Sequence, residues 1–255
     1  MADDREQWSD EDGALESEYD GDSLGSGELV SEEAFDAALE RVVAGVQSST
    51  TLNPHEREVV AYHEAGHALT RELLATAEHA HKISIVPRGQ ALGYVMNLPD
   101  EDSYLKTREE LIDQLTVLLG GRVAEQVVFG AVTTGAANDL QRVAEITNAM
   151  VHIYGMGTSE VTSRTYVDAE QLSDLTRRIR DEEQQALAFE AHRQALDLIT
   201  SHRELLEEFA QELLRKEVLG RSDIDRIMDG VPRIDRRPAR NLRVVAVDPT
   251  PPAAS

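Results

Sequence analysis

With 255 residues, no cysteine and a formal net charge of −23, the chain is long enough for one sizeable core with tails, and it excludes disulfides and thiolate metal sites. Hydrophobic residues make up 41% but aromatics only 4%, and the acidic excess argues against nucleic acid or an anionic membrane surface as partner. Any metal must be held by His, Asp or Glu.

The first 28 residues carry eleven acids against one base, interspersed with Gly and Ser, which is too little apolar surface to offset ordering entropy. Residues 1–30 read as a disordered acidic tail, with neither a basic leader nor a spanning segment of roughly 18 apolar residues anywhere in the chain. A soluble, cytoplasmic protein without direct membrane insertion is the expectation. Ser31 can cap a short helix over "SEEAFDAALERVVAG", and "VQSSTTL" reads as a linker, so 31–54 forms a connecting segment. Asn53 as N-cap, Pro54 at the first helical position and Glu56 three residues past the cap predict a helix running to about Ala77. "HKISIVPRGQALGYVMNLP" then switches to period two, with Ile83 and Ile85 on one face and Leu92, Tyr94 and Met96 after a Pro-Arg-Gly turn, which predicts a hairpin.

Thr107 and Glu110 form a capping box for the next helix, whose Gly120-Gly121 pair predicts close backbone contact or a kink before Gly130 ends it. "VTTGAAND" is a loop entering a helix from about Ala137 to Tyr154, with Asp139 at its start. A long charged helix follows over Leu172–Ile199, with Leu175, Ile179, Leu187, Leu196 and Ile199 among its apolar positions. Ser201 and Glu204 suggest another capping box, and Ser222 a last short helix. After Val231 the chain turns Arg-rich and then Pro-rich, so 230–255 reads as a disordered end. The fold class is mainly α with a small β hairpin or sheet, as one domain over 55–229.

Within the first long helix, "YHEAGHALT" sets His63 and His67 four apart, one above the other on one face, with Glu64 between. Two neutral imidazoles suit a tetrahedral zinc that needs one further protein ligand and a water. Glu64 is placed to take a proton from that water while the ion polarises a carbonyl. The bland alternative is a histidine pair satisfied within a core, against which stands Gly66, costing about 1 kcal/mol in a helix interior. For the third ligand the residues leave several candidates. Glu125 is a helix-borne carboxylate whose ordinary role is pairing with Arg122 or another cation. Asp139 sits where a helix dipole favours a carboxylate. His79 and His81 form an alternating pair that reads as solvated strand-edge residues, and His55, His152, His192 and His202 stand alone.

Four blocks in order, "VVAYHEAGHALT", "ISIVPRGQALGYVMNLP", "GGRVAEQVVFG" and "VTTGAANDLQRVAEI", resemble the peptidase domain of the FtsH family of ATP-dependent zinc metalloproteases. The similarity is close over about 56–156 and looser to about 229. It implies one Zn2+ per chain held by His63, His67 and Asp139, a catalytic Glu64, and a structural or orienting role for Glu125. It also implies polypeptide substrates, a homo-hexameric ring and an ATPase or unfoldase acting in trans, because no G-x-x-x-x-G-K-[ST] phosphate loop, and so no nucleotide site, occurs in these residues. The helix over "SEEAFDAALERVVAG" looks like a remnant of that module's lid. "TSEVTSRTYVDAEQ" departs from the family's pattern. The leading expectation is a zinc endopeptidase acting on unfolded or flexible polypeptide. A second is a catalytically silent subunit or adaptor that co-assembles with a full-length relative through the acidic tail, a role that gives little reason to keep Glu64.

Overall fold

A computed structural model of the chain describes residues 51–89, 91–97, 105–157 and 172–237, with Ala38, Arg41, Val42 and Ser48 as isolated points. Two units divide the chain, Met1–Glu40 and Arg41–Ser255, and everything below belongs to the second. The acidic tail over 1–30 therefore lies outside the described residues, as does most of the 31–54 segment.

Helix α1, Pro54–Leu73, starts as the sequence predicts: Asn53 accepts from the Glu56 N–H at 2.9 Å, and Glu56 returns the bond to the Asn53 N–H at 3.0 Å. It ends four residues earlier than the apolar pattern suggests. Leu74 turns extended and pairs with Ile234, with the Ala75 N–H donating to the Ile234 carbonyl at 3.0 Å. Arg233 donates one guanidinium nitrogen to the carbonyls of Arg71, Leu74 and Ala77, satisfying acceptors that a continuing helix would have used. Residues 231–237, read from the sequence as the start of a disordered end, thus form the stop for α1.

Strand β1, Ala80–Ser84, pairs antiparallel with β2, Tyr94–Asn97, so the expected hairpin forms; Ile83, Ile85 and Met96 are buried while Leu92 stays outside β2 and exposed. A third strand, β3, Val218–Gly220, flanks β1 on its other side, giving the order β2-β1-β3 with β2 at an edge among the described residues. Helix α2, Arg108–Phe129, opens on the predicted Thr107/Glu110 capping box and closes on Gly130 at φ 68°. The paired glycines serve contact and leave the helix continuous: a Cβ on Gly66 would sit 2.4 Å from the Gly120 carbonyl oxygen. Helices α1 and α2 therefore cross backbone against backbone, a closeness that side chains at either position would prevent.

A 3-10 turn, Thr134–Ala136, feeds α3, Ala137–His152. Helix α4, Asp174–Ser201, is capped by Ser173, and α5, Arg203–Lys216, follows after His202 alone. Ser201 is thus the last residue of one helix and caps nothing; the predicted box is not used. Leu175 is exposed on α4, whereas Leu187 and Ile199 are buried. The last helix, α6, Arg221–Ile227, begins one residue before Ser222, with Gly220 leading straight out of β3. Leu69 and Leu73 of α1, Leu115 of α2, Leu187 of α4 and Phe209 of α5 are fully buried in one cluster, each contributing roughly 1.5–3 kcal/mol of burial. Among the described residues no helix is long and apolar enough to cross a membrane.

Candidate metal centre

Because α1 lies against both α2 and α5, the face carrying His63, Glu64 and His67 points into the protein; His63 and Glu64 are buried and His67 half-buried. The two Nε2 atoms lie 3.0 Å apart. Asp139, in the first turn of α3, brings its Oδ2 to 3.5 Å from His63 Nε2 and 3.4 Å from His67 Nε2. Three potential ligand atoms from two helices, far apart in sequence, thus converge on one point.

The far side of each ring fixes which nitrogen faces that point. Nδ1–H of His67 donates to the Val117 carbonyl at 2.8 Å, and Nδ1–H of His63 donates to Glu125 Oε1 at 2.6 Å. The second oxygen of Glu125 accepts the Thr133 N–H at 2.6 Å, tying the histidine to the loop that leads to Asp139. With both Nδ1 atoms donating, both Nε2 atoms offer lone pairs, and Asp139 adds a third acceptor. Three acceptors facing one another require a shared cation. A proton can serve: burial opposes a charge on His63, but Asp139 and Glu125 outweigh it and its pKa is pushed up to about 10. Burial likewise would raise Asp139, yet the two imidazoles hold it far below the usual carboxylate range. A metal ion fits equally well, since tetrahedral ligands about 2.05 Å from zinc stand roughly 3.3 Å from one another. The observed 3.0, 3.4 and 3.5 Å bracket that edge.

Glycine makes the space. A Cβ on Gly121 would fall 2.6 Å from His67 Nε2 and 2.7 Å from His63 Nε2, in the cradle the three ligands surround. On the other side, a Cβ on Gly93 would fall 2.7 Å from Glu64 Oε1, so the chain entering β2 lies directly against that carboxylate. Burial raises the pKa of Glu64, with the charges of His67 and His63 pulling the other way.

The structure brings His63, His67, Glu64 and Asp139 together and puts Glu125 behind His63 instead of at the converging point. The ordinary role weighed for Glu125, pairing with Arg122 or another cation, is met through His63 and the Thr133 N–H and not through Arg122. His79 is drawn away to Glu72 at 2.8 Å. His55 packs edge-on to Phe129, and His202 Nδ1–H donates to the Leu198 carbonyl. The sequence marks Gly121 through its place in a glycine pair; nothing in it marks Gly93 or the Val117 carbonyl.

Fold and site together define a helical domain with a two-histidine, one-aspartate donor set and an adjoining buried glutamate. The chain matches Peptidase family M41 over residues 50–227, and it belongs to that family. Among relatives, an ATP-dependent zinc metalloprotease FtsH of Clostridium perfringens is 43% identical over 202 residues, which is 75% of this chain and 28% of the relative. Proteins of the same name from Cutibacterium acnes and Thermotoga maritima are 37% and 41% identical over 83% and 76% of this chain, and 31% and 34% of their own lengths. The chain thus spans about a third of the length of these relatives.

Proposed function

We propose that the domain is a zinc-dependent endopeptidase that hydrolyses peptide bonds of unfolded or flexible polypeptides. The observation that carries this is the convergence of His63, His67 and Asp139 beside Glu64, on a chain whose relatives are named zinc metalloproteases. Bound zinc would supply Lewis acidity toward a peptide carbonyl and toward the attacking water. His63 and His67 would hold the ion through Nε2 and Asp139 would add a carboxylate oxygen, while Glu125 and the Val117 carbonyl keep the imidazoles in the required tautomer. Glu64, next to a ligand and walled by the backbone at Gly93, takes the proton from the water and returns it to the leaving amine.

The substrate lies extended along the outer edge of β2, where main-chain pairing gives affinity with weak sequence selectivity. Assembly into a six-membered ring is part of the reading, supported by the resemblance to the FtsH family. Energy for unfolding comes from an ATPase outside these 255 residues, since no phosphate-binding loop occurs among them and the relatives are named ATP-dependent. The domain over 55–229 acts in this scheme with the acidic tail as an appendage. Glu64→Gln should abolish casein cleavage while the purified protein keeps stoichiometric zinc by metal analysis. Cleavage at the original rate would remove Glu64 from the role of base.

A further inference from the structure

In a chain carrying a net charge of −23, five cations line a single cavity of about 540 Å3: Arg71, Lys106, Arg142, Arg233 and Arg237. The cavity shares a wall with the candidate metal centre. Val117, whose carbonyl holds the His67 ring, lines it; Arg71 follows His67 by one turn of α1, and Arg142 follows Asp139 by one turn of α3. Asn97 lines it too, at the end of β2 remote from the Gly93–Glu64 contact.

Among the described residues the cations there outnumber the carboxylates that line the cavity. Glu78 and Glu110 are the carboxylates on the wall among the described residues, and both are engaged, Glu78 accepting from Asn97 and Glu110 from the Thr107 N–H at 2.8 Å. Arg233 is committed to main-chain carbonyls, Arg237 to Asp235 at 2.8 Å, and Lys106 to the neutral Gln114 at 3.2 Å. Arg71 reaches the Glu78 carbonyl through Nη1, while its Nε is buried with no hydrogen-bond partner among the described residues. Burial lowers the Arg71 pKa, the charges of Arg142 and Arg233 add to the effect, and Glu78 and Glu72 oppose it. Arg142 is exposed on α3 and makes no direct hydrogen bond or ion pair among the described residues. Guanidinium groups gathered this way are built for a carboxylate, which they bind through charge-assisted, often bidentate, hydrogen bonds.

We propose that this cavity receives a carboxylate of the bound polypeptide and so directs cleavage to acidic sequences. The distance fits: β2 covers about 10 Å from Tyr94 to Asn97, so a chain running along it past Glu64 arrives at the cavity within about three residues. The proposal rests on the endopeptidase reading and deepens it, from polypeptide in general to polypeptide with an acidic group near the cut bond.

The test uses quenched fluorogenic peptides with Glu or Gln at each of the three positions on either side of the cleaved bond, each made with a free and an amidated C-terminus. For at least one position, kcat/KM should favour Glu over Gln by about tenfold, chiefly through KM. Arg142→Gln should bring that ratio close to one, whereas Arg178→Gln, the same charge change on the exposed face of α4, should not. A preference that follows the acidic side chain and one that vanishes on amidation both support the site, the first reading a side chain and the second a chain end. Equal rates for every pair, or a ratio unchanged in both Arg142→Gln and Arg71→Gln, would overturn it. Fluorescence anisotropy of the same peptides on the Glu64→Gln protein reads the affinity ratio without turnover. A Glu preference in binding with no cleavage by the wild type would sink the endopeptidase reading and keep the cavity. No preference in binding sinks the cavity.

Discussion

Helix α1 carries buried charge at two places, and they are solved in opposite ways. At its C-terminal end, Glu72 is buried and fully answered: Arg221 donates to both its oxygens at 2.7 and 3.1 Å, His79 to one at 2.8 Å and the Ala80 N–H to the other at 2.7 Å. In its middle, His63 and His67 have their Nδ1 atoms equally well answered, but their Nε2 atoms and Asp139 present only acceptors to one another. Both regions hold carboxylates below their usual range, so a perturbed proton affinity does not separate them. The separating feature is whether donors and acceptors balance. A balanced cluster ties elements together, here α1, β1 and α6; an unbalanced one, held rigid by its outer bonds, is a place for a cation.

Substitution of one carboxylate in each region should break the comparison most sharply. Asp139→Ala removes the proposed third ligand and should take zinc content from one per chain to near zero, with cleavage falling by about a thousandfold or more. The same change should leave the fold intact by circular dichroism, because Asp139 is half-buried, its carboxylate is directed at His63 and His67, and it makes no cap hydrogen bond to the start of α3. Glu72→Gln should do the reverse. Leaving Arg221 beside an uncharged amide costs about 3 kcal/mol, or roughly 6–12 °C in Tm, while zinc content and turnover per folded molecule stay at wild-type values. Loss of zinc in Glu72→Gln, or a large loss of Tm in Asp139→Ala, would mean that the two regions are not separable.

Glu125 tests the link between inner and outer bonds. Glu125→Gln keeps the volume and one acceptor but gives up the charge behind His63, and should weaken zinc about 10- to 100-fold in competition with a chelator. An unchanged affinity would reduce Glu125 to holding Thr133.

How far these regions can be seen in the sequence follows from the range of the forces involved. Capping boxes are complete within four residues, so Asn53/Glu56 and Thr107/Glu110 give both helix starts correctly. The spacing of His63 and His67 is a property of one helix and is equally legible. Asp139 is different: it reaches the histidines only because α2 crosses α1 at Gly66 and Gly120 and then returns the chain through Thr133, and local spacing left it level with Glu125. Resemblance to a family favoured Asp139. Strand β3 is three residues long, too short for a period of two to register, and its partner is β1, more than a hundred residues earlier. The stop of α1 by Arg233 has the same character, since a guanidinium that caps carbonyls from a distant segment leaves no pattern at either end. Gly93 has meaning only when Glu64 is beside it.

The smallest effect expected is the acid dependence of the Glu72 cluster, and it separates charge from shape. Burial would raise the Glu72 pKa, but Arg221, His79 and the Ala80 N–H together hold it below 4.5, its ordinary value. A carboxylate with a depressed folded-state pKa contributes stability that is fully present above the unfolded value and is lost as pH falls through the folded one. The gap in Tm between wild type and Glu72→Gln should therefore stay constant from pH 7 to about 5 and narrow below about 4.5, because a protonated Glu72 and a glutamine offer Arg221 much the same uncharged group. A gap that persists undiminished into acid would mean that packing, and not the charge on Glu72, holds α6 against α1.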